Sequence, residues 1–264
     1  MENKEPVLLK RAELQLQLVA DIGEQLLKNG AEIFRVNESI ERMIQIYKIE
    51  KSHVYVIANG IFISAKDENG HSISEVRQVP LGATHLERVA SLNQLVRDIC
   101  NCSCTFDEAL ERLEQIKELP DNSFKAQLCY CILGIGAFSY LFGGGVLEVL
   151  IAIIIGSAEQ LFLYVTRKGK LAKLVRIVLA SFFVALLAYA TTYLNVAISQ
   201  DIIIIGAIMP LLPGVAFTTS VRELYNGDYV SGMIHLLDTL IITLCIAVGI
   251  YLPIAIMQQL GGVI

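Results

Sequence analysis

The sequence predicts an α-helical integral membrane protein of about five transmembrane helices, with an N-terminal cytoplasmic α+β domain. Three observations predict it. Charge is uneven: residues 1–125 hold 15 Lys/Arg and 20 Asp/Glu, whereas residues 126–264 hold 6 of each. The second half divides into apolar runs at 126–142, 146–165, 174–198, 202–221 and 230–256. Each can cross a hydrocarbon layer of ~30 Å at ~1.5 Å per residue. In the first half the hydrophobic period switches from helical to alternating and back. A soluble domain over 1–125 and a membrane domain over 126–264 follow.

The first helix is read in "AELQLQLVADIGEQLLKNGAE", where Asn29-Gly30 is a stop signal. "EIFRVNESIERMIQIYKI" repeats the pattern with Ile33, Val36, Ile40, Met43, Ile44 and Tyr47 on one face. "HVYVIANGIFISAK" then alternates and is β-branched, and its Asn59-Gly60 suggests a hairpin turn or bulge. "ENGHSISEVRQVP" adds a turn and a third strand. "THLERVASLNQLVRDIC" is a helix opened by a capping box of Thr84 and Glu87, and "TFDEALERLEQIKEL" is a helix stopped by Pro120.

In the second half the connections carry the orientation. "GGG" at Gly143–Gly145 and "SQD" at Ser199–Asp201 lack basic residues. "RKGKLAKLVR" carries Arg167, Lys168, Lys170, Lys173 and Arg176, and Arg222 lies in "RELYNGD". The positive-inside rule puts these loops and the N-terminal domain in the cytoplasm and the C-terminus outside. The expected location is the cell membrane, multi-pass.

Several function classes are disfavoured. The chain shows no P-loop, dinucleotide glycine pattern, Cys/His metal spacing or nucleophile elbow, so no cofactor, no metal and no enzyme activity are expected. Cys100, Cys102 and Cys104 in "CNCSC" alternate instead of forming the paired C-x-x-C of zinc sites, and read as free thiols at a helix end. The net charge of −5 gives no nucleic-acid footprint.

The residues that invite chemistry lie mainly in the membrane half. "IIIIGAIMPLLPGVAFTTS" puts Pro210, Pro213 and Gly214 inside an apolar span. Prolines there free backbone groups, which are costly in lipid unless they line a cavity or are covered by protein. A midplane break of this kind is used by transporters to bind substrates at half-helix ends, the alternative being a packed kink. Thr218, Thr219 and Arg222 follow the break. Glu159 is a carboxylate well inside the second span, a protonatable group or a structural polar pair. Glu148 lies past the glycine turn, interfacial or functional. His235 and Asp238, three apart on one helix face, are a proton relay or a structural hydrogen bond. Asn195 and Asp201 are weaker candidates, and Glu223 and Asp228 read as solvated loop charges.

Two patches, "LLKNGAEIFRVNESIERM" and the pair "GGGVLE" and "PLLPG" followed by "YNGDYVSGMIHLLDTLIITLCIAVG", resemble the threonine/serine exporter (ThrE-type) family. The closest type is its short, split-subunit form, to which a YjjP-type bacterial succinate exporter component belongs. Gly30, Ala31 and Glu32 match the first motif; Gly144, Gly145 and Glu148 match the second-span motif; Pro210, Pro213 and Gly214 match the fourth-span motif. Asn29 stands where His is expected before the glycine, and Glu148 stands where Asp is frequent. The resemblance implies a cytoplasmic domain, a five-span unit and a separate small membrane partner. It also implies export of a small hydrophilic metabolite: threonine or serine, alternatively succinate. An alternative of another class is a membrane-anchored ligand sensor, which would need neither the broken span nor the buried acids.

Overall fold

The computed structural model describes residues 5–66, 71–80, 82, 84–120, 123–167, 169, 171–191 and 198–259. The chain forms two compact units. One comprises Met1–Asp121 with Thr219–His235, and the other Asn122–Thr218 with Leu236–Ile264.

The first unit opens with α1 (Glu5–Lys28) and α2 (Ile33–Ile46). Gly30 separates them at φ +83°, with its N–H on the Leu27 carbonyl and the Ala31 N–H on the Leu26 carbonyl. This is a Schellman closure, and it needs the left-handed conformation that glycine adopts without strain. The strands β1 (Glu50–Ile57), β2 (Gly60–Lys66) and β3 (Ser72–Gln78) form an antiparallel sheet in sequence order. Gly60 pairs with Ile57, so the hairpin turn is Ala58-Asn59, one residue earlier than the sequence suggests. The turn expected before β3 lies largely in residues 67–70, outside the described residues.

The inner sheet face, with Val56, Ile61, Ile63, Ala65 and Ile73, joins Leu16, Val19, Ile22, Val36, Ile40 and Met43 in one core. The helices α3 (Leu86–Cys100) and α4 (Phe106–Lys117) close it with Leu92, Leu95, Ile99 and Leu113. Two caps differ from the sequence reading. The N-cap of α3 is His85, not Thr84: its Nδ1 accepts from the Arg88 N–H at 3.2 Å. His85 also donates its own N–H to the Asn29 carbonyl at 3.0 Å, which fixes the helix start one residue later. The reciprocal capping box instead opens α4. Thr105 Oγ1 accepts from the Glu108 N–H, and the Glu108 carboxylate accepts from the Thr105 N–H at 2.8 Å. Those bonds hold the Glu108 carboxyl below its usual range.

The second unit contains α5 (Phe124–Leu141), α6 (Val146–Thr166), α7 (Lys173–Ala190) and α8 (Gln200–Ile208). A 3-10 turn (Met209–Leu211) follows, then the start of α9 (Gly214–Tyr225) and most of α10 (Tyr229–Gln259). Among the described residues four helices are long and apolar enough to cross a membrane, or five if the bent pair of α8 and α9 is one span. Packing around α8 depends on small residues, as expected where lipid removes the hydrophobic drive between helices. A Cβ on Gly206 would collide with the Ser139 side chain, and one on Gly144 would meet the Ser139 carbonyl oxygen at 2.8 Å. Gly156 sits against Ile135, and Gly249 of α10 against Ser181 of α7. Ser139 and Ser181 turn their hydroxyls to the carbonyls of Ile135 and Ile177, each at 2.8 Å, so neither exposes a donor to lipid.

A Gly30→Ala substitution should destabilise the first unit by about 1–2 kcal/mol, because it puts a Cβ at positive φ and against Thr84. Gly134→Ala, with open space around its Cβ, should be neutral or stabilising. Thermal unfolding of the two full-length variants checks both.

Candidate functional sites in the two units

The site in the second unit starts at the helix break. Pro210 sits inside the 3-10 turn, and Leu212 is extended at ψ 127°. The Gly214 N–H bonds the Leu212 carbonyl at 2.8 Å, closing a three-residue turn around Pro213. The Pro213 carbonyl then accepts from the Phe217 N–H at 2.9 Å and starts α9. The two helices meet at 62°. Thr218 bends its hydroxyl back to the Val215 carbonyl at 2.9 Å and the Gly214 carbonyl at 3.2 Å. Gly214 has open space where a side chain would stand.

Glu159 lies on α6 and is 3% exposed. Its Oε2 accepts only a long bond, 3.4 Å, from the neighbouring Gln160 amide, and its Oε1 is buried without a hydrogen-bond partner. It lines a cavity of about 220 Å³ with Ile155, Ala158, Phe162, Ala180 and Phe183. Those walls are apolar, so a proton or a cationic group is what the carboxylate lacks. Glu148 is at the first turn of α6, after the N-cap Gly145, and its Oε2 is 2.9 Å from the position a Cβ on Gly145 would take. A carboxylate there complements the helix dipole. Asp238 is paired with Lys173, Oδ2 to Nζ at 3.4 Å. Asp201 occupies the first turn of α8, and Asn195 lies outside the described residues.

The site in the first unit is a charge cluster. Glu32, the N-cap residue of α2, pairs through Oε1 with Arg222 Nη1 on α9 and through Oε2 with Arg35 Nε at 3.5 Å. Thus the Gly-Ala-Glu motif and Arg222, 190 positions apart, meet. The next residue overturns the sequence reading. Glu223 is no solvated loop charge: it belongs to α9, is 6% exposed, and its Oε2 is 2.7 Å from His235 Nδ1. His235 thus has the Glu223 carboxylate beside it, and Asp238 has Lys173. Spacing along α10 gave no hint, because α9 packs alongside and Gly232 fits under Leu224. The tight turn at Gly227, φ +88°, allows that approach, and Asp228 Oδ1 caps α10 by accepting from the Ser231 N–H at 3.3 Å. Glu32, Thr219, Arg222, Glu223, Asn226 and Asp228 line a small cleft.

A broken apolar helix pair, buried acids and several helices long and apolar enough to cross a membrane are the marks of a membrane protein. The ThrE family model, described as "Putative threonine/serine exporter", matches residues 17–257, and the chain belongs to that family. No curated protein and no solved structure matches the chain.

If Glu32 and Arg222 interact directly, Glu32→Arg and Arg222→Glu should each lower stability and the double exchange should recover most of it. A double-mutant cycle on thermal unfolding should give a coupling of about 0.2–1 kcal/mol, the range for half-exposed pairs.

Proposed function

We propose that the chain is a subunit of a membrane exporter for threonine and serine. The observation that carries this reading is the 62° break between α8 and α9 in a chain of the threonine/serine exporter family. The break exposes half-helix ends, and the dipole at such an end suits one charged group of an amino acid. In this reading Pro210, Pro213 and Gly214 shape the translocation site, and Thr218, Thr219 and Arg222 supply polar contacts. The first unit faces the cytoplasm, the C-terminus lies outside, and the protein sits in the cell membrane. A second, smaller membrane subunit completes the exporter.

Transport is proton-coupled, with Glu159 as the carrier. A buried carboxylate with one unpartnered oxygen in an apolar cavity is a group whose charge state can alternate with access. Glu148, His235 and Asp238 form the remaining proton path.

Efflux from cells loaded with threonine, serine or succinate tests the reading, with this chain alone, with its small partner, and with neither. Threonine and serine efflux should require both chains. Glu159→Gln should insert normally yet lose the acceleration that an imposed proton gradient gives. Succinate efflux without threonine efflux would overturn the amino-acid assignment, and full gradient response in Glu159→Gln would remove Glu159 from coupling.

A further inference from the structure

We infer that the open edge of β3 pairs with β3 of a second copy of this chain, antiparallel and centred on Val76, joining two three-stranded sheets into one. The inference concerns assembly and stands apart from the exporter reading.

The two edges of the sheet, β1 and β3, are built differently. An open edge is a row of unpaired N–H and C=O groups, and folds blunt it with bulges, lysines, prolines or a cover. β1 is blunted: its register shifts between Glu50 and His53, and Lys51 within that shift stands at φ +47°. β3 is not. Its seven residues, "SISEVRQ", hold neither Lys nor Pro and pair with β2 in unbroken register from Ser72 to Gln78. Just past the strand the Val79 N–H donates to the Asn59 carbonyl at 2.9 Å, on the β2 side. Backbone direction alternates along an antiparallel ladder, so Ile73, Glu75 and Arg77 turn their groups to β2, and Ser72, Ser74, Val76 and Gln78 turn theirs to the open side. Among the described residues no backbone hydrogen bond is made on that side.

An open edge asks for a strand, and the side chains of β3 say which strand fits. A two-fold axis at Val76 sets Val76 against its own equivalent, Ser74 against Gln78, and Glu75 against Arg77 of the other copy. Val76 is 62% exposed and gains an apolar neighbour. Residues directly opposite share a face; opposite charges there stabilise and like charges destabilise. Centring on Glu75 would oppose two carboxylates, and centring on Arg77 two guanidiniums. Centring on Val76 instead gives two Glu–Arg pairs. The need for a further cation is visible within one copy, where Asp21, Glu24 and Glu75 all share the single Arg77 guanidinium. The backbone agrees with this register. Val76 with Val76, and Ser74 with Gln78, are pairs of outward-facing residues, and each such pair exchanges two N–H···O bonds. Pro80, the next outward position, has no N–H to offer, which stops the pairing from sliding past Gln78.

The test is disulfide crosslinking of the full-length protein in isolated membranes, with copper phenanthroline as the oxidant and the wild type as the background from its native cysteines. Opposed residues of a bonded pair have Cα atoms about 5.5 Å apart, inside the roughly 4.4–6.8 Å that a disulfide spans. Val76→Cys should therefore give at least about tenfold more linked dimer than Ser72→Cys, an exposed control on the same edge that this register keeps far from its equivalent. Differently tagged copies carrying Ser74→Cys and Gln78→Cys should link to each other. Adding Val76→Lys to both sets two ammoniums together on the axis, and should cut that yield about tenfold at equal membrane insertion. Val76→Cys linking no better than Ser72→Cys overturns the inference, and so does linking of Ser74→Cys to Gln78→Cys that Val76→Lys leaves unchanged.

Discussion

Every backbone polar group inside a lipid layer must find its partner within the protein. In the second unit the prolines of the α8–α9 break make that hardest. Pro253 shows what a single proline does here: it lies inside α10, and the helix runs on to Gln259. Pro210 and Pro213 are three apart with Gly214 beside them, and no continuous helix can absorb both missing donors and both ring clashes. The chain answers with a 3-10 turn, a tight turn at Pro213 and a new helix start, each recovering one carbonyl or amide. The Thr218 hydroxyl returns to the backbone for the same reason. Gly206, Gly144 and Gly156 leave room for Ser139, Ile202 and Ile135 to come up against the backbone. Adding a methyl at Gly206 would push at Ser139, whose hydroxyl is already committed to the Ile135 carbonyl. Close packing thus shields the frame from which a bent helix departs.

Charge follows the same logic in the two halves. The polar first unit can carry ion pairs cheaply: Arg77 alone faces Asp21, Glu24 and Glu75. In the apolar half the few charges are placed. Asp238 sits with Lys173, and Glu148 sits at a helix start, where the dipole favours a carboxylate. Glu159 has neither kind of support. Among the described residues it accepts a single weak bond, from the adjacent Gln160, and it lines an apolar pocket.

Much of this was legible in the sequence because it is local. The Asn29-Gly30 stop, the alternation of β1 and β2, the apolar runs and the proline break are each written within a dozen residues. What was not legible depends on contacts between distant segments. His85 displaces Thr84 as the cap because its backbone N–H is claimed by Asn29, more than fifty residues earlier. Glu223 reads as a loop charge because its neighbours, "RELYNGD", are polar; only folding puts His235 over it and removes it from water. Spacing puts His235 and Asp238 three apart, and both lie on α10. It could not say that folding brings Glu223 to His235 and Lys173 to Asp238. A signal was available for the charge cluster: Glu32 in a recognised motif and Arg222 after the break each lacked an explanation alone.

Glu159 and Glu223 are the same chemical anomaly in two settings. Each is a carboxylate more than nine-tenths buried, with Oε2 engaged and Oε1 left without a partner. A sequence under selection for stability alone would not keep them, since removing either charge would relieve desolvation. Their surroundings divide the work between them. Around Glu159 the walls are apolar. Around Glu223 the Arg222 guanidinium, the Glu32 carboxylate, the Thr219 hydroxyl and the Asn226 amide stand along one small cleft. Buried carboxylate oxygens without a partner, as at Glu159 and Glu223, are departures from the local rules of folding, and such departures are where function is expected.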